Sequence, residues 1–440
     1  MLVLEVVGCP FDAVFRGGFD AFRDHVNPLI VGRAELAREP IRFVRAEGGR
    51  LVMEDGSIVE DFHGTQAFGH RHPRIAQAIR EFLDSDVPNW FPSRINPFAG
   101  ALAKRLCQRS GYTNVYFACS GSDAVEASMK LARAATRRTR ILGLSGGYHG
   151  CTFGSVALMN AGPFRDPFGP HLPGVESLPF GDVDALERAL SAGDVASVVV
   201  EPIQGEGGVR ALSGPYVDAL CSLTEEHGAL LVADEVQTGF GRSGNFLKSA
   251  SWPRRPDVAL LAKQLGGGLA AISAMLTRRE LFLRAYGEDF EDGESHNMTM
   301  GYNAVSFVAS MAALDLLDDA LISRIRESGA AFRRALEEAL EGSSLVEEVR
   351  GEGFMVGVKL RQPDHPWLSF EQLGLPDLAE RASVGPLLCT RLYRRGYFCF
   401  VCGHDWSVLR IQPRFFIEDA TLAGLARAVR EELDVLEAAS

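Results

Sequence analysis

Two short apolar runs constrain this chain more than anything else in it: Ala229-Leu230-Leu231-Val232-Ala233 and Val258-Ala259-Leu260-Leu261-Ala262. Each is too short to span a membrane and reads as a strand buried on both faces, the pattern of a parallel sheet. The first ends on Asp234 and Glu235; the second delivers Lys263 just ahead of Gly266-Gly267-Gly268. Open α/β sheets bind their ligands in the crevice at the carboxyl ends of such strands, so the two runs present an acid and an amine at one rim. Desolvation lowers the pKa of a lysine in such a place and frees its neutral amine to form a Schiff base with a carbonyl. As a bare pair, Asp234 and Lys263 read equally as a rim salt bridge.

The rest of the chain extends the same rhythm. Val115 to Cys119, Ile141 to Leu144, Val195 to Val200 and Ile272 to Leu276 are further apolar runs separated by helical patterns. This alternation predicts an α/β fold with a mostly parallel sheet and helices on both faces. With 440 residues there is room for two or three domains. The expected division is an arm and small antiparallel segment over 1–62, a large domain over 63–320 and a smaller α+β domain over 321–440. Within the first part, helical patterning surrounds Phe19 to Arg23, and Phe43 to Phe62 alternates around the turn signals Gly48-Gly49 and Asp55-Gly56 as a meander does. In the last part, Ala320 to Leu340 and Thr421 to Ala438 read as helices, and Val349 to Leu360 and Tyr397 to Ile411 as strands.

A net charge of -12 argues against nucleic acid or an anionic membrane surface as partner. No apolar run approaches the ~20 residues of a membrane-spanning helix. The opening Met1 to Val7 lacks the basic segment and cleavage site of a signal peptide, so a cytoplasmic enzyme is expected. Most of the eight cysteines stand singly in apolar surroundings, as reduced thiols do. Cys399 and Cys402 have redox or metal spacing without a second pair. His70 and His72 lack a third ligand at useful spacing, and Pro73 opens a helix from Arg74 to Leu83. No metal site is expected.

If the carbonyl held by Lys263 is that of pyridoxal phosphate, its pyridine nitrogen needs a buried carboxylate, because the ring is an electron sink only when cationic. Asp234 can be that carboxylate. Ser120-Gly121-Ser122-Asp123 follows a strand and opens a helix from Ala124 to Thr136, whose unpaired N–H groups suit a phosphate dianion. Plain N-capping, with Asp123 and Glu126 as a capping box, is the alternative. The stretches D-E-V-Q-T-G-F-G-R-S-G from Asp234, A-K-x-L-G-G-G around Lys263, S-G-S-D-A-V-E-A at 120–127, G-G-Y-H-G at 146–150, V-E-P-I-Q-G-E-G-G-V at 200–209 and L-R-I-Q-P at 409–413 are dense and ordered along the chain. Together they resemble the class III (ω-type) aminotransferases of the fold-type I pyridoxal-phosphate enzymes, and the resemblance covers nearly the whole chain.

The resemblance implies further roles. Gly121 and Ser122 become the phosphate cup, Tyr148 a ring stacked on the pyridine with Val236 on its other face, and His149 a structural support. Gln237 becomes a donor to the cofactor's phenolic oxygen and Glu201 part of the supporting hydrogen-bond network. Thr299 matches a threonine that reaches across a homodimer interface to the neighbouring subunit's phosphate. Arg410 matches the arginine that grips the carboxylate of glutamate or 2-oxoglutarate, and Glu206 the glutamate that neutralises it when the amine lacks a carboxylate. Arg165 is a second candidate anion contact. Tyr302, Ala304, Ala271 and Arg414 depart from the family pattern, and Arg414 could add a charge near the pocket. The reaction implied is amino transfer between a small-molecule amine, with a terminal, non-α amine expected, and a keto acid or aldehyde. An aminomutase or racemase of the same family shares these motifs.

Overall fold

The computed structural model describes residues 5–6, 9–31, 43–91, 95–287, 295–363, 369–372 and 378–439. A seven-stranded sheet runs through its centre in the order Asn114–Ala118, Ser273–Thr277, Val258–Leu261, Leu230–Asp234, Val195–Val200, Arg140–Leu144, Val175–Leu178. Only Ser273–Thr277 lies antiparallel to its neighbours; the other pairings are parallel. All six residues of Val195–Val200 are buried, as a strand covered on both faces requires.

Successive side chains leave the sheet on opposite faces. Ala259, Leu261, Ala274 and Leu276 enter one apolar cluster with Phe307 and Ala309 of the helix Ala304–Leu316. Val258, Leu260 and Met275 enter another with Val125, Met129 and Leu131 of the helix Gly121–Thr136. This two-sided burial fixes the strand register, since a slip of one residue would exchange the faces.

A four-stranded antiparallel sheet, ordered Val346–Glu352, Met355–Leu360, Val408–Ile411, Phe400–Val401, packs with the helices Asp319–Ala339, Val384–Arg394 and Asp419–Ala439. The segment Val349 to Leu360, expected as strand throughout, is a hairpin. It turns at Gly353, whose φ of +55° is left-handed and where a Cβ would lie 2.5 Å from the Ser243 carbonyl carbon. The meander Phe43–Glu47, Arg50–Met53, Ile58–Asp61 forms as expected and gains Tyr397–Phe398 as a parallel fourth strand. The N-terminal region is thereby hydrogen-bonded to the C-terminal one. Among the described residues, no helix is long and apolar enough to cross a membrane.

Candidate active site

The carboxyl ends of the central strands surround a cavity of about 270 Å³. Asp234 ends its strand, Lys263 follows Val258–Leu261 by two residues, Glu201 follows Val195–Val200 directly, and the loop carrying Tyr148 leaves Arg140–Leu144. The parallel register pairs Asp234 with Leu260, so acid and amine stand on neighbouring strands at one rim. Gly121, Ser122, Tyr148, Glu201, Glu206, Asp234, Val236, Gln237 and Lys263 all line this cavity.

Lys263 has a φ of +38°, a conformation that costs a residue with a Cβ of order 1–3 kcal/mol. Its side chain is open to the cavity yet surrounded by protein at depth. Desolvation lowers its pKa; Glu206, Glu201 and Asp234 oppose that shift and Arg410 adds to it. The neutral amine is thus favoured, as Schiff-base chemistry requires.

Asp234 is buried, with Oδ1 accepting from the Val236 N–H at 3.1 Å and Oδ2 2.7 Å from His149 Nδ1. Burial alone would lower the His149 pKa, but the hydrogen bond and negative charge of Asp234 raise it on balance. An imidazolium there gives Asp234 a charge-assisted hydrogen bond. Glu201 accepts from the Tyr148 N–H at 2.9 Å and the Gly205 N–H at 3.1 Å. Burial pushes its pKa up to about 7, against the charge of His149 and with that of Asp234.

The helix Gly121–Thr136 begins at the cavity, and its first N–H groups have no carbonyl of their own helix to bind. The capping box is Ser120 with Asp123, not Asp123 with Glu126: Ser120 Oγ accepts from the Asp123 N–H at 3.2 Å, and Asp123 accepts from the Ser120 N–H at 2.8 Å. Glu126 instead caps the next helix, accepting from the Gly154 and Ser155 N–H groups. Gly150 (φ +127°) is required beside Ser122, because a Cβ there would lie 2.0 Å from Ser122 Oγ. Gln237 rests on Gly205, where a Cβ would lie 1.4 Å from its Oε1.

Arg410 enters from Val408–Ile411 and pairs with Glu206, whose other oxygen accepts from the Gly403 N–H at 2.8 Å. Burial alone would raise the Glu206 pKa; Arg410, Lys263 and the Gly403 N–H lower it on balance. Arg410 Nε is buried without a hydrogen-bond partner.

Three expected residues are not in the cavity lining: Arg410, which reaches it through Glu206, and Thr299 and Arg165, which lie apart from it. Thr299 is exposed on the 3₁₀ turn Thr299–Tyr302, and half-buried Arg165 precedes another such turn, Asp166–Phe168. Of the departures from pattern, Ala271 lines the cavity, and Ala304 opens a helix capped by Asn303. Arg414 adds no charge near the cavity: it pairs with Glu60 at 2.8 Å and packs on Gly49. Cys119, Ala262, Ala270 and Ile272 also line the cavity, although nothing in their residue types marked them out.

An amine of lowered pKa, a buried carboxylate held by histidine and a helix N-terminus converge here, and they complement an aromatic aldehyde carrying a ring nitrogen and a phosphate. The aminotransferase class-III family model matches residues 33–432. The chain belongs to the class-III aminotransferases. Class-III aminotransferases depend on pyridoxal phosphate, so this one is an enzyme that uses that cofactor. An acetylornithine aminotransferase of Agrobacterium fabrum is 34% identical over 341 residues, covering 74% of this chain and 83% of that protein. Ornithine aminotransferase 2 of Staphylococcus aureus is 36% identical over 343 residues, covering 74% and 83%. The structure of the ornithine aminotransferase of Toxoplasma gondii, with pyridoxal phosphate at partial occupancy, superposes with a TM-score of 0.80 at 25% identity, covering 95% of this chain and 98% of that one. The aminotransferase described here therefore has the fold-type I architecture.

Proposed function

We propose that this aminotransferase moves an amino group between a terminal, non-α amine and 2-oxoglutarate or a related keto acid or aldehyde, working as a cytoplasmic homodimer. The observation that carries this reading is the Glu206–Arg410 pair, in which Glu206 lines the cavity that holds Lys263 and Arg410 stands behind it. With Glu206 swung away, Arg410 can grip the carboxylate of glutamate through two parallel hydrogen bonds. With Glu206 in place, the same wall is neutral overall and admits an amine lacking a carboxylate there. The relatives named for acetylornithine and ornithine support an amine remote from a carboxylate.

When bound, pyridoxal phosphate supplies an electron sink for the pair left behind when a proton leaves the substrate carbon. Lys263 Nζ, whose pKa desolvation lowers, would take that proton and later return it. Asp234, held by His149, would serve the pyridine nitrogen, and Tyr148 and Val236 would hold the ring. Gln237 would donate to the phenolic oxygen, Glu201 braces the Tyr148 loop through its N–H, and Gly121 and Ser122 would bind the phosphate. Thr299 serves the phosphate of the second subunit, which its exposed position in a single chain supports. Arg165 remains a second anion contact of this proposal, close in sequence to the mouth. The segments 1–62, 63–320 and 321–440 are the proposed domains. Free thiols at Cys107, Cys119, Cys151, Cys221, Cys399 and Cys402 accord with a cytoplasmic location.

The test is a single turnover of the loaded enzyme with glutamate. Release of 2-oxoglutarate is expected, and Arg410→Ala should lower kcat/KM for glutamate at least a hundredfold, the scale of about 3 kcal/mol for lost charge-assisted bonds. An enzyme that isomerises an amino acid without releasing a keto acid would overturn transamination in favour of a mutase or racemase.

A further inference from the structure

Past the rim of the central sheet, the segments that carry Asp234 and Lys263 part, and a buried glutamine rejoins them. Parallel pairing of their strands ends where Asp234 meets Leu260. Beyond it Lys263–Gly266 forms a 3₁₀ turn whose backbone bonds close on the turn itself, from the Leu265 N–H to the Ala262 carbonyl at 2.8 Å and from the Gly267 N–H to the Gln264 carbonyl at 2.9 Å. Those bonds shape the turn without fixing its distance from the neighbouring loop. Gln264, 2% exposed, makes that link: its Nε2 donates to the Gln237 carbonyl at 3.0 Å. Gln237 lines the cavity, and Gln264 stands behind it. The Gln237 amide nitrogen lies 3.5 Å from Gln412 Oε1, the outer limit of a hydrogen bond, and so keeps N–H capacity for a ligand.

Two observations give the link a purpose beyond filling space. Lys263 holds a left-handed φ of +38°, a conformation that persists only where the surroundings over-determine it, and Gln264 is its immediate neighbour. Gln264 Oε1 is buried without a hydrogen-bond partner. An unbranched apolar side chain would fill the same space without that orphan, so packing alone does not call for the amide. In pyridoxal phosphate the aldehyde and the phenolic oxygen sit on adjacent ring carbons, so Lys263 Nζ and the Gln237 amide must meet neighbouring atoms. We propose that Gln264 is a positioning residue: by tying the Lys263 turn to the Gln237 carbonyl, it sets the spacing between the amine and the amide. This inference rests on the roles given above to Lys263 and Gln237 and adds the residue that couples them.

The experiment compares the natural protein with Gln264→Met, Gln237→Ala and the two substitutions together. Methionine keeps the unbranched shape and exchanges one orphaned acceptor, Gln264 Oε1, for another, the Gln237 carbonyl, so the urea midpoint of the cofactor-free protein should change little. A donor to the phenolic oxygen favours the state in which that oxygen shares no proton with the linkage to Lys263, so a displaced Gln237 should raise the pH midpoint of the visible-edge band. The expected rise in Gln264→Met is about half a pH unit or more, the scale of one ordinary hydrogen bond. Affinity for pyridoxal phosphate in an equilibrium titration should weaken at least about threefold. The double variant should have the band midpoint of Gln237→Ala, because Gln264 acts on the band through Gln237. A lowered urea midpoint with band and affinity unchanged would mark a merely structural role and overturn the proposal, as would midpoint shifts that add in the double variant. If Gln237→Ala itself leaves the band unmoved, the donor role of Gln237 falls, and the loss of cofactor affinity in Gln264→Met alone decides whether Gln264 positions Lys263.

Discussion

His149, Asp234 and Glu201 form one buried electrostatic unit beneath the cavity, and its parts can be tested one residue at a time. Replacing Asp234 by Asn keeps the shape but removes the charge proposed to serve the pyridine nitrogen, and should lower kcat by about 10²–10³-fold, the usual scale for one preorganised electrostatic group. His149→Ala leaves Asp234 Oδ2 buried without its partner and should cost about 3 kcal/mol in urea unfolding. The Glu201 pKa rises on folding from 4.5 to about 7, so the folded state holds its proton longer than the unfolded chain does. That contribution is present below about pH 4.5 and lost as pH rises through about 7; His149, also raised, moves in the same direction from about 6.5 upward. Glu201→Gln should therefore lose less stability than the natural protein between pH 5 and 8, by up to about 3 kcal/mol; identical pH profiles would refute it. Lys263 and Asp234 were legible in the sequence because each ends an apolar run. The partnership of Arg414 with Glu60 was not, since 354 positions separate the two and only the fold brings them together.

At the scale of elements, the site depends on loops that must approach one another without side chains between them. Gly205 is the sharpest case: Gly205→Ala would drive a methyl group into Gln237, and overpacking of this kind costs about 1–3 kcal/mol. The expected outcome is a lower urea midpoint for the cofactor-free protein, together with a roughly tenfold weaker affinity for pyridoxal phosphate in an equilibrium titration. The buried strands were readable because covering both faces demands unbroken apolar runs. Val175–Leu178 was missed for the converse reason: it is the edge strand beside Arg140–Leu144, and its half-exposed V-E-S-L carries no such run. The hairpin at Gly353 was read as one strand because Val346–Glu352 and Met355–Leu360 join through only two residues.

For the whole molecule, the proposed dimer accounts for apolar surface that a single chain leaves open. Ile95 is 79% exposed and Met300 58% exposed, and Asn96 donates to the Tyr302 carbonyl at 2.9 Å, tying Ile95 to the turn that bears Thr299 and Met300. Large apolar side chains this exposed suit an interface. Sedimentation should give twice 47.8 kDa for the natural protein and 47.8 kDa for Ile95→Asp with Met300→Asp, with weaker cofactor binding in the latter. An unaltered mass would place the interface elsewhere. In the proposed dimer Thr299 serves the neighbouring subunit, which accounts for the gap between its sequence motif and its place in a single chain. The most direct test of the whole account is the absorbance spectrum of the purified protein and of Lys263→Ala, each with pyridoxal phosphate and then with excess glutamate. The account predicts a band at the visible edge that requires Lys263 and that glutamate removes. A spectrum the same in both proteins would contradict it.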